Sequence, residues 1–264
     1  MQSVTSSDGT RIAFWRSGEG PALLLVHGAT SDHNTWRFVL PALEKRFTVY
    51  AMDRRGRGGS GDSPAYDLQR EAEDVAAVVS AIDGPVSVFG HSFGGLCALE
   101  AALTIDMASL VLYECVGTRG ADIYPPGFVE RLEGKLAAGD AEGVVVGLLQ
   151  ELVQMPPEEL ELLRAQRDLW AARLENAPTI PRELRTDRSY VFDARRFSTM
   201  RTPTLLMVGG DSPSREMTNA VAIATALQNA TVVTLAGQQH AAHYTAPEVL
   251  VAEVVRFMES IDHA

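Results

Sequence analysis

Short runs of apolar residues alternate with longer stretches of helical periodicity in the first half of the chain. Uninterrupted apolar runs of this length are typical of parallel strands that are buried on both faces of a sheet. The apolar runs cover residues 22–26, 47–52, 86–89 and 110–113, and the helical stretches cover 36–45, 68–82 and 93–104. This alternation predicts a doubly wound α/β sheet. The turn sequence Ser7–Thr10 adds a hairpin between two antiparallel edge strands.

The strand pattern stops between Gly117 and Ser198, where the periodicity is helical and prolines divide it into short helices. Strand patterns resume at 204–208 and 231–235, and a final helix starts at Pro247. A helical insert between two strands predicts a cap over the carboxyl edge of the sheet, where open α/β sheets bind ligands. We therefore expect a core domain of residues 1–116 and 199–264, with a helical cap at 117–198.

Composition narrows the class of protein further. Hydrophobic residues make up 46% of the 264 residues and charged residues 22%, which excludes a disordered chain. The net charge of −11 argues against nucleic acid and anionic membrane surfaces as partners. The chain has two cysteines, and its apolar runs are far shorter than the roughly 18 residues of a membrane helix. It also shows no secretory signal pattern. These features favour a cytoplasmic location.

One motif carries candidate chemistry, the sequence Gly-His-Ser-Phe-Gly at Gly90–Gly94. It matches G-x-S-x-G and lies directly between a predicted strand and an Ala-rich helix, so Ser92 is expected on a sharp strand-to-helix turn. Glycines on both sides allow the strained backbone and the close packing that such a turn needs. Ser92 is therefore the candidate nucleophile.

A serine hydroxyl needs a histidine base, which needs a carboxylate to hold its tautomer. Among the histidines, His91 is expected to face away from Ser92, His27 to brace its loop, and His263 lies in the C-terminal tail. His240 and His243 remain, on the loop after the last predicted strand. They lack the glutamate of H-E-x-x-H and a third ligand nearby, so a zinc site is not expected. No cofactor is implied.

The chain resembles the α/β-hydrolase family over nearly its whole length. Besides G-x-S-x-G, His27–Thr30 resembles the oxyanion turn, Asp53–Ser60 the D-x-R-G-x-G-x-S loop and Gln238–His243 the histidine loop. The resemblance implies a mostly parallel, eight-stranded sheet. Arg54, Arg55 and Arg57 of the segment Asp53–Ser60 are expected to be solvated and to brace that loop rather than to bind phosphate.

The resemblance also assigns roles to single residues. In related proteins the base lies seven residues before the proline of the histidine loop, which selects His240, since that proline is Pro247. The oxyanion donors would be the N–H of Phe93, at a helix start, and that of Ala29. We expect four residues to contact the substrate, namely Trp170, Trp36, His243 and Gly28.

Two carboxylates compete for the third place in the triad. The usual acid of the family stands in a Gly-x-x-Asp-Pro pattern after the seventh strand, but here that position is Ser212, and Asp211 falls one residue early. Glu114 directly follows the strand at 110–113, where certain haloalkane dehalogenases and lactone hydrolases place a glutamate acid. We predict Glu114 as the acid, with Asp211 as the alternative.

The serine decides the reaction class that the resemblance implies. Haloalkane dehalogenases and epoxide hydrolases of this fold carry an aspartate where Ser92 stands, whereas a serine forms an acyl-enzyme. The segments Leu169–Arg173 and Thr179–Pro181 are similar to the cap of fungal zearalenone-type lactone hydrolases. The sequence therefore predicts a serine hydrolase, an esterase or lactonase, whose partner is a small hydrophobic ester or lactone. The sequence does not predict the oligomeric state of the protein.

Two other functions are compatible with these residues. The same triad supports hydrolysis of a carbon–carbon bond in ring-cleavage products, for which Arg164, Arg167 or Arg173 of the cap would hold a second carboxylate. A hydrolase-fold ligand receptor or pseudoenzyme is the other alternative.

Overall fold

The computed structural model describes residues 1–117 and 121–261. His263 and residues 118–120 of the predicted cap lie outside these ranges. Eight strands form one sheet in the order β1-β2-β4-β3-β5-β6-β7-β8, in which β1–β2 and β2–β4 are antiparallel and the other pairs are parallel. The strands are β1 Gln2–Thr5, β2 Arg11–Ser17, β3 Ala22–Val26, β4 Thr48–Met52, β5 Val86–His91, β6 Ser109–Tyr113, β7 Thr204–Gly209 and β8 Ala230–Leu235. This is the predicted doubly wound sheet with its edge hairpin.

Alternate strand residues point to opposite faces of the sheet, and both faces are covered. Leu24 and Val88 lie in one apolar layer, and their neighbours Leu23 and Phe89 lie in the other. The first three helices are α1 Leu40–Leu43, α2 Leu68–Ser80 and α3 Phe93–Ala101. Burial on both faces explains why the central strands read as continuous apolar runs.

The prediction of one helix over 36–45 is wrong. A 3₁₀ turn at His33–Trp36 is followed by the short α1, which has Pro41 in its first turn. Proline lacks an N–H and its ring clashes with the carbonyl four residues earlier, so an α-helix can start at this position but not run through it.

The described residues between β6 and β7 are mainly helical. Its α-helices are α4 Phe128–Ala137, α5 Ala141–Gly147, α6 Pro157–Ala165, α7 Arg167–Glu175, α8 Ile180–Ser189 and α9 Ala194–Phe197. A π-helix at Leu148–Val153 continues α5, and 3₁₀ turns lie at Ala121–Ile123 and Ala177–Thr179. Apolar side chains of these helices form a third cluster, separate from the two layers of the sheet.

The chain returns to the sheet through β7 and ends with α10 Ser214–Ala226, α11 Ala242–Thr245 and α12 Pro247–Ile261. Helix α12 packs on the sheet face opposite to α3, with Leu250 and Val254 buried. Within the residues that the structure describes, no helix combines the length and the apolar character needed to cross a bilayer.

Candidate active site

Ser92 lies on a sharp turn between β5 and α3. Its φ of 54° and ψ of −125° are rare for a residue with a side chain and indicate backbone strain of a kind that concentrates at functional sites. A Cβ on Gly94 would clash with the backbone of His27, and a Cβ on Gly28 would lie 3.0 Å from the Ser92 Cβ. The glycines therefore let two turns meet closely around the serine, and Ser92 faces an internal cavity.

Two backbone N–H groups lie beside Ser92 and are not used elsewhere. Ala29 and Phe93 line the same cavity as the serine. In the described part of the chain, neither of their N–H groups has a hydrogen-bond acceptor. The N–H of Phe93 also belongs to the first turn of α3, where the helix dipole favours negative charge. The pair is suited to bind an oxyanion.

His240, which is half-buried, forms a hydrogen-bonded pair with the buried Glu114. The Nδ1 of His240 lies 2.7 Å from Oε2 of Glu114, which is only 3% exposed. Because a carboxylate can only accept, Nδ1 is assigned as the donor, which leaves Nε2 of the neutral ring without a proton. Burial alone would raise the pKa of Glu114, but the hydrogen bonds from His240, Ser212 and Gly209 hold it below its ordinary value.

The other oxygen of Glu114 is held by the loop that follows β7. The N–H of Gly209 donates to Oε1 at 2.9 Å, and the Ser212 hydroxyl donates to it at 2.5 Å. Asp211, the alternative acid, is exposed, and its N–H donates to the carbonyl of Gln238. The structure thus brings Glu114 to His240 and leaves Asp211 at the surface.

Two further histidines pack around His240. The ring centroid of His91 lies 4.6 Å from that of His240 and 4.5 Å from that of His243, and its Nε2 lies 3.0 Å from the His240 carbonyl oxygen. The expectation that His91 faces away from the site is wrong, because the turn at Ser92 ends the strand alternation that would separate the two side chains. Burial and nearby positive groups lower the pKa of both His91 and His243.

Most of the cavity wall is apolar. The π-helix contributes Leu148, Leu149, Leu152 and Val153, and π turns are common at functional sites. The polar wall residues other than Ser92 and the histidines are Thr30, Ser31, Arg173, Glu183, Asp187, Glu216 and Tyr244.

Of the four predicted substrate contacts, the structure brings only His243 to the cavity wall. Trp36 is fully buried beneath it and packs on the rings of Phe89 and His243. Trp170 is half-buried outside the wall, with the guanidinium of Arg164 over its ring. Gly28 packs against Ser92 and His91. Trp36, Trp170 and Gly28 are not part of this wall, and their contacts with a substrate stay predictions.

The arginine loop is buried rather than solvated, so that expectation is also wrong. Arg54 pairs with Glu71 at 2.7 Å and with Glu183 of α8 at 2.9 Å, and its guanidinium lies over the ring of Phe93. Arg57 also contacts Glu183, and no side chain of this loop reaches the surface as a free cation among the described residues. The carboxylates that neutralise the loop come from distant parts of the chain, which local sequence does not reveal.

Within residues 1–117 and 121–261, no three histidine, cysteine or acidic side chains are arranged to hold a metal ion. His27 bonds its own turn: its Nδ1 lies 2.9 Å from the Gly28 carbonyl oxygen, and its Nε2 accepts from the Arg54 N–H.

Comparison with known proteins agrees with this architecture. A model of the alpha/beta hydrolase family matches residues 23–254. The crystal structure of an alpha/beta hydrolase from Sphaerobacter thermophilus is 35% identical, with a TM-score of 0.85 over 97% of this chain and 100% of that one.

Two curated relatives match to different extents. The probable oxidoreductase EphD of Mycobacterium tuberculosis is 37% identical over 104 residues, which is 37% of this chain and only 18% of that protein. A candidate esterase/lipase of Haemophilus influenzae is 25% identical over 253 residues, which is 90% of this chain and 83% of that protein.

Proposed function

Because the chain belongs to the alpha/beta hydrolase family, we propose that it is a serine hydrolase that cleaves a hydrophobic carboxylic ester or lactone through an acyl-enzyme on Ser92. The observation that carries this proposal is the 2.7 Å contact between Glu114 and His240, which lines the same cavity as the strained serine. The likeness to a candidate esterase/lipase of Haemophilus influenzae supports it.

In the proposed first half-reaction, Nε2 of His240 takes the proton of Ser92 while the serine Oγ bonds to the substrate carbonyl carbon. The N–H groups of Ala29 and Phe93 bind the resulting oxyanion. Glu114 stabilises the imidazolium through Nδ1. When the carbon–oxygen bond of the ester breaks, the leaving alcohol takes the proton from Nε2.

Water completes the cycle. Nε2 of His240 takes a proton from a water molecule, whose oxygen attacks the acyl carbon. The tetrahedral intermediate collapses, the bond to Ser92 breaks and the serine oxygen regains the proton from His240. The carboxylic acid leaves, and a lactone follows the same steps with its alcohol and acid still joined in one product.

No hydrogen bond joins the Ser92 hydroxyl to His240 in the described structure. Catalytic contacts of this kind are often long in enzymes without substrate and shorten in the Michaelis complex.

The hydrophobic part of the proposal rests on the cavity wall. The leucines of the π-helix and Met155 surround the space above Ser92 and would bind an apolar group by excluding water from it. We propose that residues 117–198 act as the cap that covers this cavity. Closure over the reacting carbonyl would also strengthen the oxyanion interactions, because the local dielectric constant falls.

A second candidate function is hydrolysis of a carbon–carbon bond in a substrate that carries a carboxylate. Arg173, one of the three cap arginines considered for that role, lines the cavity, whereas Arg164 and Arg167 do not. The position of Arg173 on the cavity wall is equally relevant to an ester substrate that carries a carboxylate.

A panel of p-nitrophenyl esters from acetate to decanoate, with a lactone panel beside it, tests the proposed function. Turnover with a preference for the longer acyl chains, abolished in Ser92→Ala, is the expected result. Folded protein without a burst or turnover on any ester or lactone would contradict it.

A further inference from the structure

Arg173 differs from the other buried arginines of the chain. It is 5% exposed and lies on α7, above the sheet. Arg54, Arg55 and Arg57 each pair with at least one carboxylate. Among the described residues, no carboxylate lies within ion-pair distance of Arg173. A buried charge without a counter-ion is costly, so such a group marks a place where an anion is expected.

The described hydrogen-bond acceptors of Arg173 are hydroxyls, and its guanidinium also lies over the ring of Tyr244. Its Nη1 donates to Thr30 and, at 3.0 Å, to Ser31, and its Nη2 donates to the Tyr244 hydroxyl at 2.9 Å. A guanidinium has five N–H donors, so Nε–H and one Nη2–H have no partner in the described part of the chain. The hydroxyls of Thr30 and Ser31 accept from the arginine, which leaves their own protons available to an anion.

Arg173 and Ser92 belong to the same cavity wall. Thr30, which Arg173 contacts, directly follows Ala29 of the candidate oxyanion turn. The positive charge of Arg173 also acts on His243: burial lowers the pKa of this histidine most, and the charge of Arg173 is the next largest cause. The guanidinium therefore lies on the oxyanion side of the cavity, near the position of the reacting carbonyl.

The acidic residues of the cavity do not neutralise Arg173. Glu183 is bound by Arg54 and Arg57, and Asp187 accepts a hydrogen bond from Tyr124. Glu216 pairs with Arg215 at 3.2 Å. These carboxylates would repel a second negative charge, so an anion in this cavity is confined to the side of Arg173.

We propose that Arg173 binds an ionised carboxylate of the substrate, so that the ester or lactone cleaved at Ser92 carries a second carboxylate group. Two remaining donors on one guanidinium suit a carboxylate, which accepts two parallel hydrogen bonds from such a fork. A single positive charge in a cavity that also contains three carboxylates favours a monoanion over a phosphate dianion. This inference rests on the proposed function, since it places the carboxylate relative to Ser92.

Matched substrates test the proposal. Mono-p-nitrophenyl esters of the dicarboxylic acids from succinate to suberate are compared with p-nitrophenyl butyrate to octanoate, with the uncatalysed rates subtracted. At one chain length or more, kcat/KM of the wild type is expected to be at least about 10-fold higher for the acid ester than for the neutral ester of equal length. Equal values, or a preference for the neutral ester at every length, would overturn the proposal.

Substitutions separate Arg173 from a general effect of charge. In Arg173→Met the ratio of acid to neutral kcat/KM is expected to fall on the order of 10- to 100-fold, and in Arg173→Lys by less. Arg164 is a half-buried arginine of the same cap that pairs with Glu142 and does not line the cavity, so Arg164→Met is the matched control and should keep the wild-type ratio. An unchanged ratio in Arg173→Met would sink the proposal. Thermal unfolding and labelling of Ser92 by a fluorophosphonate show whether each variant is folded.

A binding measurement distinguishes failure of this inference from failure of the proposed function. If no ester is hydrolysed and Ser92 is not labelled, the proposed function is wrong. Thermal stabilisation by sodium glutarate and by sodium adipate, measured in wild type and in Arg173→Lys, still tests the carboxylate site without turnover. Stabilisation of the wild type that weakens in the lysine variant supports the site, and equal stabilisation or none contradicts it.

Discussion

The hydroxyl of Ser212 donates a hydrogen bond of 2.5 Å to Oε1 of Glu114, whose other oxygen accepts from His240. Ser212 stands where the family pattern would place the acid, and Glu114 comes from the neighbouring strand end. The loop after β7 therefore positions a carboxylate that it does not supply. Glu114 has a φ of 44°, in the left-handed region that residues with a side chain rarely adopt.

Ser212→Ala removes one of the two hydrogen bonds that hold Oε1. We expect kcat to fall on the order of 10-fold with KM little changed, since a hydrogen bond to a charged group is worth about 1.5–3 kcal/mol and the Gly209 N–H remains. Steady-state kinetics on one ester measures both constants. Activity within about twofold of the wild type would show that Ser212 does not position the acid.

Glu114→Gln should lower kcat by about 10³- to 10⁴-fold, because the amide no longer favours the productive histidine tautomer. Asp211→Asn serves as the matched control and should cost less than about 20-fold, as that side chain is exposed. Both variants are measured on the same substrate. A larger loss of kcat in Asp211→Asn would reverse the assignment.

His240→Ala and His243→Ala are expected to have different effects on catalysis. The first should lose nearly as much kcat as a serine variant, because nucleophile and base act as a unit. The second should change KM or thermal stability more than kcat, since His243 packs against Trp36 and its Nδ1 has no partner in the described structure. The reverse pattern would make His243 the base.

The pKa of Glu114 gives a dependence of stability on pH. Because its folded value lies below the ordinary 4.5, the stabilisation is complete above about pH 4.5 and is lost as the pH falls through the folded value. The free energy of unfolding of wild type minus that of Glu114→Gln should therefore shrink on acidification below pH 4.5. Urea unfolding of both proteins across that range measures it, and a difference that grows with acid would mean that the carboxylate is not stabilised in the folded state.

Much of the fold follows from patterns that the sequence displays locally. The buried strands, the hairpin at the edge and the turn at Ser92 each depend on residues next to one another in the chain. The apolar periodicity over 36–45 predicts one helix, but Pro41 can only stand in the first turn of an α-helix, so a new short helix starts there.

Other features depend on contacts between distant segments, which one sequence does not reveal. The burial of Arg54 depends on Glu71 and Glu183, which lie far from it along the chain. The position of Trp170 outside the cavity wall depends on how α7 is oriented against the neighbouring helices. The π-helix at Leu148–Val153 lines that wall, and the local sequence contains no clear signal that predicts it. The sequence does not distinguish Arg173 from Arg164 and Arg167, whereas the fold brings Arg173 into contact with Thr30.

The central claim is that the reaction passes through an acyl group on Ser92. Rapid quenching during hydrolysis of a p-nitrophenyl ester, followed by intact-mass and peptide mass spectrometry, measures this directly. The account predicts one added acyl mass on the peptide that contains Ser92, absent from Ser92→Ala, which should lose about 10⁴- to 10⁶-fold in kcat. An acyl mass on another residue, or more than a few per cent of wild-type activity in Ser92→Ala, would contradict the account.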